Sequence, residues 1–127
     1  MEDVKRGKAL MGLDSFVDEV MSHINPDSVG MVLVHRGIVR GTSKDGRKVK
    51  ALRVSFNEKE ISRIEEEFLK RDGIEAVRIR VRSGKLGVGD EIMTVVVAGR
   101  YRSDVIPALE ELLARVKDAI TEEEYYF

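Results

Sequence analysis

Apolar residues recur along this chain at two periods, and the switches between them predict its elements. From Asp14 to Ile24, Phe16, Val17, Val20, Met21 and Ile24 share one face at helical spacing, with Asp14 or Ser15 placed to cap the first turn. Asn25-Pro26-Asp27-Ser28 breaks that helix, because proline lacks the N–H that another turn needs. Val29 to Val39 then reads as a central strand. The basic loop Gly41 to Lys48 contains the turn signal Lys44-Asp45-Gly46-Arg47, so Val29–Val39 and Val49–Phe56 are expected to pair as a hairpin. Asn57 with Glu60 opens a second helix, whose stripe Ile61, Ile64, Phe68, Leu69 closes near Asp72-Gly73.

From Ile74 to Arg82 the alternation is clean, with Val77, Ile79 and Val81 on one face and Arg78, Arg80 and Arg82 on the other. That face is strongly basic. Ser83 to Asp90 carries Gly84, Gly87 and Gly89 and reads as a tight turn with positive φ, since it lacks both the GxGxxG order and a following helix. Glu91 to Gly99 suits a buried strand. A third helix is expected from an N-cap at Ser103 to Ile120, with Pro107 in its first turn, and Thr121 to Phe127 is an acidic tail ending in three aromatics. Helix, two strands, helix, two strands, helix predicts an α+β fold with mostly antiparallel, hairpin-paired strands and flanking helices.

Length and composition narrow the chemistry. At 127 residues the chain suits one domain over 1–127. With no Cys, thiolate catalysis, disulfides and cysteine metal ligation are excluded, and His23 and His35 alone make no multi-histidine site, so neither metal nor cofactor is expected. Met1–Leu10 mixes acids and bases instead of forming a secretory core, and no apolar run is long enough to span a bilayer, which predicts a cytoplasmic protein without a membrane partner. Charged residues are 35% of the chain but sum to -1, which argues against a nucleic-acid partner. Such dense mixed charge without Trp or Cys resembles heat-adapted proteins.

The candidate chemistry is therefore basic. Arg40 at a strand end and Arg102 at a helix start stand where small anions bind, because arginine forks match phosphate geometry and free backbone N–H groups add to them. Tyr101 is placed to donate a hydrogen bond to a substrate oxygen or simply to pack. Arg78 and Arg80 are better read as surface residues paired with acids, His35 as a strand histidine, and His23 as a favourable residue near a helix C-terminus.

Three segments resemble a known family. Val29-Gly30-Met31-Val32-Leu33-Val34-His35-Arg36-Gly37-Ile38-Val39-Arg40 resembles the "G-A-V-V-x-F-x-G-T-V-R" strand of the molybdopterin synthase catalytic (large) subunit family, and Gly46-Arg47-Lys48-Val49 its "G-R-x-V". Arg82-Ser83-Gly84-Lys85-Leu86-Gly87-Val88-Gly89-Asp90 is similar to "H-R-x-G-x-L-x-x-G-E", and Tyr101-Arg102 with Lys117 falls where the family has "H-R" and a helix lysine. The resemblance runs from about Val29 to Ile120. It implies an α/β hammerhead-like fold and a homodimer within a heterotetramer that carries two copies of a small ubiquitin-like sulfur carrier. The carrier's thiocarboxylate would give sulfur to an anionic pterin, cyclic pyranopterin monophosphate. Lys117 is then the catalytic lysine, its amine serving as nucleophile or acid/base. Arg40, Tyr101 and Arg102 bind substrate, while Arg47 and Arg82 are further anion or carrier contacts.

The chain also departs from that pattern. The family's "P-x-W-K-K/R-E" is absent, Glu124 stands at its second lysine, Tyr101 and Val81 replace two histidines, and His35 replaces an apolar residue. The resemblance thus implies a sulfurtransferase. The alternative is a non-catalytic homologue binding a carrier or an anionic ligand in an accessory role, and a blander third reading is a heat-adapted domain whose arginines only pair with acids.

Overall fold

The computed structural model describes residues 12–127. In chain order they form α1 (Leu13–Met21), a 3-10 turn (Pro26–Ser28), β1 (Met31–Ile38), β2 (Ala51–Phe56), α2 (Glu58–Leu69), β3 (Ile74–Val81), β4 (Gly84–Gly87), β5 (Glu91–Gly99), α3 (Arg102–Ala119) and β6 (Ile120–Tyr126). The charged segment Met1–Leu10 lies outside the described residues. No helix among the described residues is long and apolar enough to cross a membrane.

β5 organises the first sheet. Val95 and Val97 face α2 and α3, while Val96 and Ala98 face α1, and all four are fully buried. A strand apolar on both faces belongs in the middle of a sheet with both sides covered, and β5 has antiparallel β1 and β3 as its neighbours in the order β1-β5-β3. The expected centre, β1, is an edge strand.

β1 and β2 do not form a hairpin. The turn between them is real: Gly46, at φ +89°, donates its N–H to Ser43 O, and Thr42 bridges to Lys48. Beyond that bridge the arms diverge, because β1 spends its hydrogen bonds on β5 while β2 sits between β4 and β6 in a second antiparallel sheet, β4-β2-β6. Leu52 and Val54 of β2 and Leu86 of β4 bury a separate small core with Val39 and Val49. Gly84–Gly87 is therefore a strand, although Gly84 and Gly89 do carry the expected positive φ. None of the paired strands are consecutive in sequence.

The acidic tail is β6. Ser55 Oγ donates to Glu122 Oε1 at 3.0 Å, and Glu124 stands opposite Arg53, so partners on β2 recruit a glutamate run with poor strand propensity. Helix boundaries shift modestly. α1 follows Gly12, with Asp14 inside its first turn and no side-chain cap. Asn57 caps α2 as expected, accepting the Glu60 N–H at 3.2 Å. α3 starts after Tyr101 instead of Ser103, which puts Pro107 in its second turn on the exposed side.

Gly99 fixes how α3 leaves the sheet. A Cβ there would strike Gly73 O and come within 2.8 Å of Val105 Cγ2. Gly99→Ala should therefore push α3 and β3 off β5 and cost about 1–3 kcal/mol, read as a lowered midpoint in urea unfolding; an unchanged midpoint would mean that this junction is slack.

Candidate functional site

The fold gives the first sheet two chemically different ends. At one, β1 runs out through Val39, whose N–H donates to Asp90 O at 2.9 Å, so Arg40 lies beside the start of β5. β3 ends there too, with Arg82 N–H donating to Ile92 O at 2.9 Å. α3 doubles back across β5 and β1 and finishes at the same end, where Ala119 O accepts the Asn57 N–H at 2.9 Å. Arg40, Arg82 and Lys117 thus gather at one end of the sheet. Tyr101 and Arg102 stand at the other, lining with Ser103, Ile106 and Pro107 an open depression of about 650 Å³. At 1.5 Å per residue, Arg102 and Lys117 of one chain are about 22 Å apart along α3.

Arg40, Arg102 and Lys117 are exposed and have no carboxylate partner among the described residues. Most other arginines are engaged. Arg78 reaches Glu19 at 3.3 Å, Arg115 reaches Glu67 at 2.6 Å, and Arg100 reaches Asp72 at 3.3 Å. Arg47 is held too, with Nε donating to Asp45 Oδ2 at 3.0 Å and the guanidinium 3.7 Å over the Phe127 ring. Arg82 is half-buried, with its Nη1 enclosed and unpartnered. Tyr101 is 62% exposed, which removes the packed-tyrosine reading.

The basic row of β3 is largely neutralised from within. Glu91, whose side chain is 1% exposed, accepts from Arg36 Nε at 2.9 Å and from Arg80 Nε at 2.9 Å and Nη2 at 3.0 Å. Arg80 also lies 4.4 Å from the centre of the Phe16 ring. Burial pushes the Glu91 carboxyl up, but hydrogen bonds to it, that from Arg80 foremost, outweigh burial and hold the group below its ordinary value. Sequence reasoning missed this acid, although its signal was present: Glu91 is the charged residue that opens an otherwise buried run.

Glu124 is engaged within the second sheet. Tyr126 OH stands 3.4 Å from Glu124 Oε1 and accepts from Arg53 Nε at 3.2 Å, and Arg53 is paired in register with Lys85 on its other side. Positive charge on that face of the second sheet comes from Arg53 and Lys85. Between α2 and the free edge of β3, Glu65 accepts the Ile79 N–H at 2.7 Å and is pushed above its ordinary value by burial; none of the predicted site residues lines that cleft.

Comparison with known proteins adds independent findings. Residues 13–119 match the family model described as MoaE protein. The chain is 31% identical over 111 residues to the molybdopterin synthase catalytic subunit of Pyrococcus abyssi, covering 84% of this chain and 74% of that protein. The solved structure of molybdopterin synthase from Staphylococcus aureus matches at a TM-score of 0.72 and 22% identity, over 92% of this chain and 91% of that one. Molybdopterin cofactor biosynthesis protein E from Burkholderia multivorans matches at 0.72 and 27% identity, over 91% and 81%. A complex of subunits 1 and 2 of molybdopterin-converting factor from Helicobacter pylori matches at 0.60 and 18% identity, over 80% and 66%.

Proposed function

The chain belongs to the MoaE family, and from that membership we propose that it is the catalytic (large) subunit of molybdopterin synthase, acting in molybdenum cofactor biosynthesis. In this reading it moves sulfur from the C-terminal thiocarboxylate of a small ubiquitin-like carrier to cyclic pyranopterin monophosphate. The observation that carries the reading is the exposed, unpaired pair Arg40 and Lys117 at one end of a sheet whose other arginines are mostly tied to acids. Cations left free of carboxylates are available to an incoming anion. The Helicobacter pylori complex of two subunits supports a small protein partner.

Arg40 grips the pterin phosphate or the carrier tail, and Lys117 supplies the reacting amine. Arg102 and Tyr101 serve the same pocket only from a second copy of the chain, since about 22 Å of helix separates them from their own Lys117. A homodimer therefore completes two pockets, each built from both chains, and a carrier at each gives the heterotetramer. Arg82 and Arg47 rank behind these as ligand contacts, because Arg82 is half-buried and Arg47 is already held by Asp45 and Phe127.

Incubating the purified chain with thiocarboxylated carrier and cyclic pyranopterin monophosphate is expected to yield the dithiolene product. Carrier binding without any product would instead favour the accessory, non-catalytic reading, which draws its support from Glu124. The shared pocket has its own test. Dimers mixed at random from Lys117→Ala and Arg102→Ala chains keep one intact pocket in each heterodimer, so about a quarter of native activity should return from two weakly active parents. No recovery above the parents would overturn the shared pocket.

A further inference from the structure

One titratable group inside the fold has no role in the reading above. His35, half-buried in the middle of β1, has no hydrogen-bond or ion-pair partner among the described residues. It lies opposite Val95, which packs under the helices, so its ring is on the helix-covered face of the sheet, as are Met31 and Leu33. α3 packs across β1 and β5 on that face.

The flanks of α3 show which side of the helix His35 meets. Glu111 and Arg115 reach toward α2 and the residues just beyond it, pairing with Arg71, Glu60 and Glu67. At about 100° per residue the opposite flank carries Ile106, Leu113 and Lys117, and Leu113 packs on the same core as Met31 and Leu33. That flank overhangs β1. Heights agree as well. Val105 lies against Gly99, and Gly99 is opposite Met31, so α3 and β1 start level. From there Lys117 lies about 18 Å along the helix and His35 about 14 Å along the strand. The His35 ring leans toward the end of β1, the direction in which Lys117 lies, its Nε2 3.9 Å from where a Gly37 Cβ would be.

Resting on the sulfur-transfer reading, we infer that His35 is a substrate-contacting residue of the Lys117 site, its imidazole hydrogen-bonding an oxyanion held there. The oxyanion is either the pterin phosphate or the carboxyl end of the carrier, and separate titrations distinguish them. In the native chain, the His35 ring resonances should move on adding one of two probes, cyclic pyranopterin monophosphate or unmodified carrier, while those of exposed His23 stay put. Assignment comes from His35→Gln. In turnover, His35→Phe should lower kcat/KM about tenfold or more, the scale of a lost hydrogen bond to a charged group, and His35→Gln should recover most of it without a change in thermal midpoint. Ring resonances unmoved by either probe overturn the inference, as does a fully active His35→Phe chain. If the native chain shows no turnover, sulfur transfer fails, and the ring titration alone still decides whether His35 contacts the anion.

Discussion

Lys117→Ala is expected to lower dithiolene formation by about 10²–10⁴-fold, the range over which a positioned acid/base or nucleophilic side chain contributes. The loss belongs to chemistry and not to folding. Lys117 is exposed near the C-terminus of α3 and has no carboxylate partner among the described residues, so truncation should move stability by less than about 0.5 kcal/mol. Single-turnover rates with saturating carrier and pterin isolate the effect, and the carrier should still bind. Arg40→Ala should act differently, raising KM for the phosphorylated substrate because the role proposed for it is to hold an anion. A Lys117→Ala enzyme with native single-turnover rates would remove this lysine from the mechanism and move attention to Arg53, opposite Glu124, and to Lys85 on the other side of Arg53.

Glu91→Gln is expected to cost about 3–5 kcal/mol, the scale for breaking a buried ion pair from one side. Most of that cost falls on Arg80, only 14% exposed, whereas Arg36 at 46% can turn to water. Removing the second buried partner should help, so Glu91→Gln with Arg80→Met should be less destabilised than Glu91→Gln alone, as equilibrium urea unfolding would reveal. If the double variant is the less stable of the two, the other contacts of Arg80, the Phe16 ring among them, outweigh the cost of burying it without this carboxylate. The sign of the pH dependence follows from the same contacts. The folded Glu91 carboxyl lies below the ordinary value of 4.5, so the unfolded chain takes up its proton first as pH falls. Its stabilising contribution is fully present above that value and disappears as pH drops through the lowered folded one. Native stability should therefore decline below about pH 4.5 through this group, and a Glu91→Gln chain should show a shallower decline.

Local pattern revealed the pieces and mistook the pairings. The stripe Ile61, Ile64, Phe68 marked α2, the arginine alternation marked β3, and the apolar run from Thr94 to Ala98 marked β5, because each buries a face whose period is written in adjacent residues. The Lys44–Arg47 turn was equally legible. The hairpin inferred from it was not correct, since strand pairing is decided by which partner buries more, and β5 outcompetes β2 for β1 with a strand buried on both faces. β6 was hidden for the opposite reason. Glu122–Glu124 disfavour a strand until Arg53 and Ser55 stand across from Glu124 and Glu122.

The candidate site divides the same way. Sequence by itself determined that the protein has no cysteine chemistry, that its candidate binding residues are basic, and that Arg40, Arg102 and Lys117 sit at or near strand and helix ends, because residue type and local punctuation are properties of neighbours along the chain. Only the tertiary structure decided which of those cations are free. Glu91, 55 residues from Arg36 and 11 from Arg80 in sequence, lies between them because β5 threads between β1 and β3, and Arg102 is parted from Lys117 by the length of α3. Charge pairing depends on distance through space, and a chain that folds back on itself sets that distance by topology, which no single segment encodes.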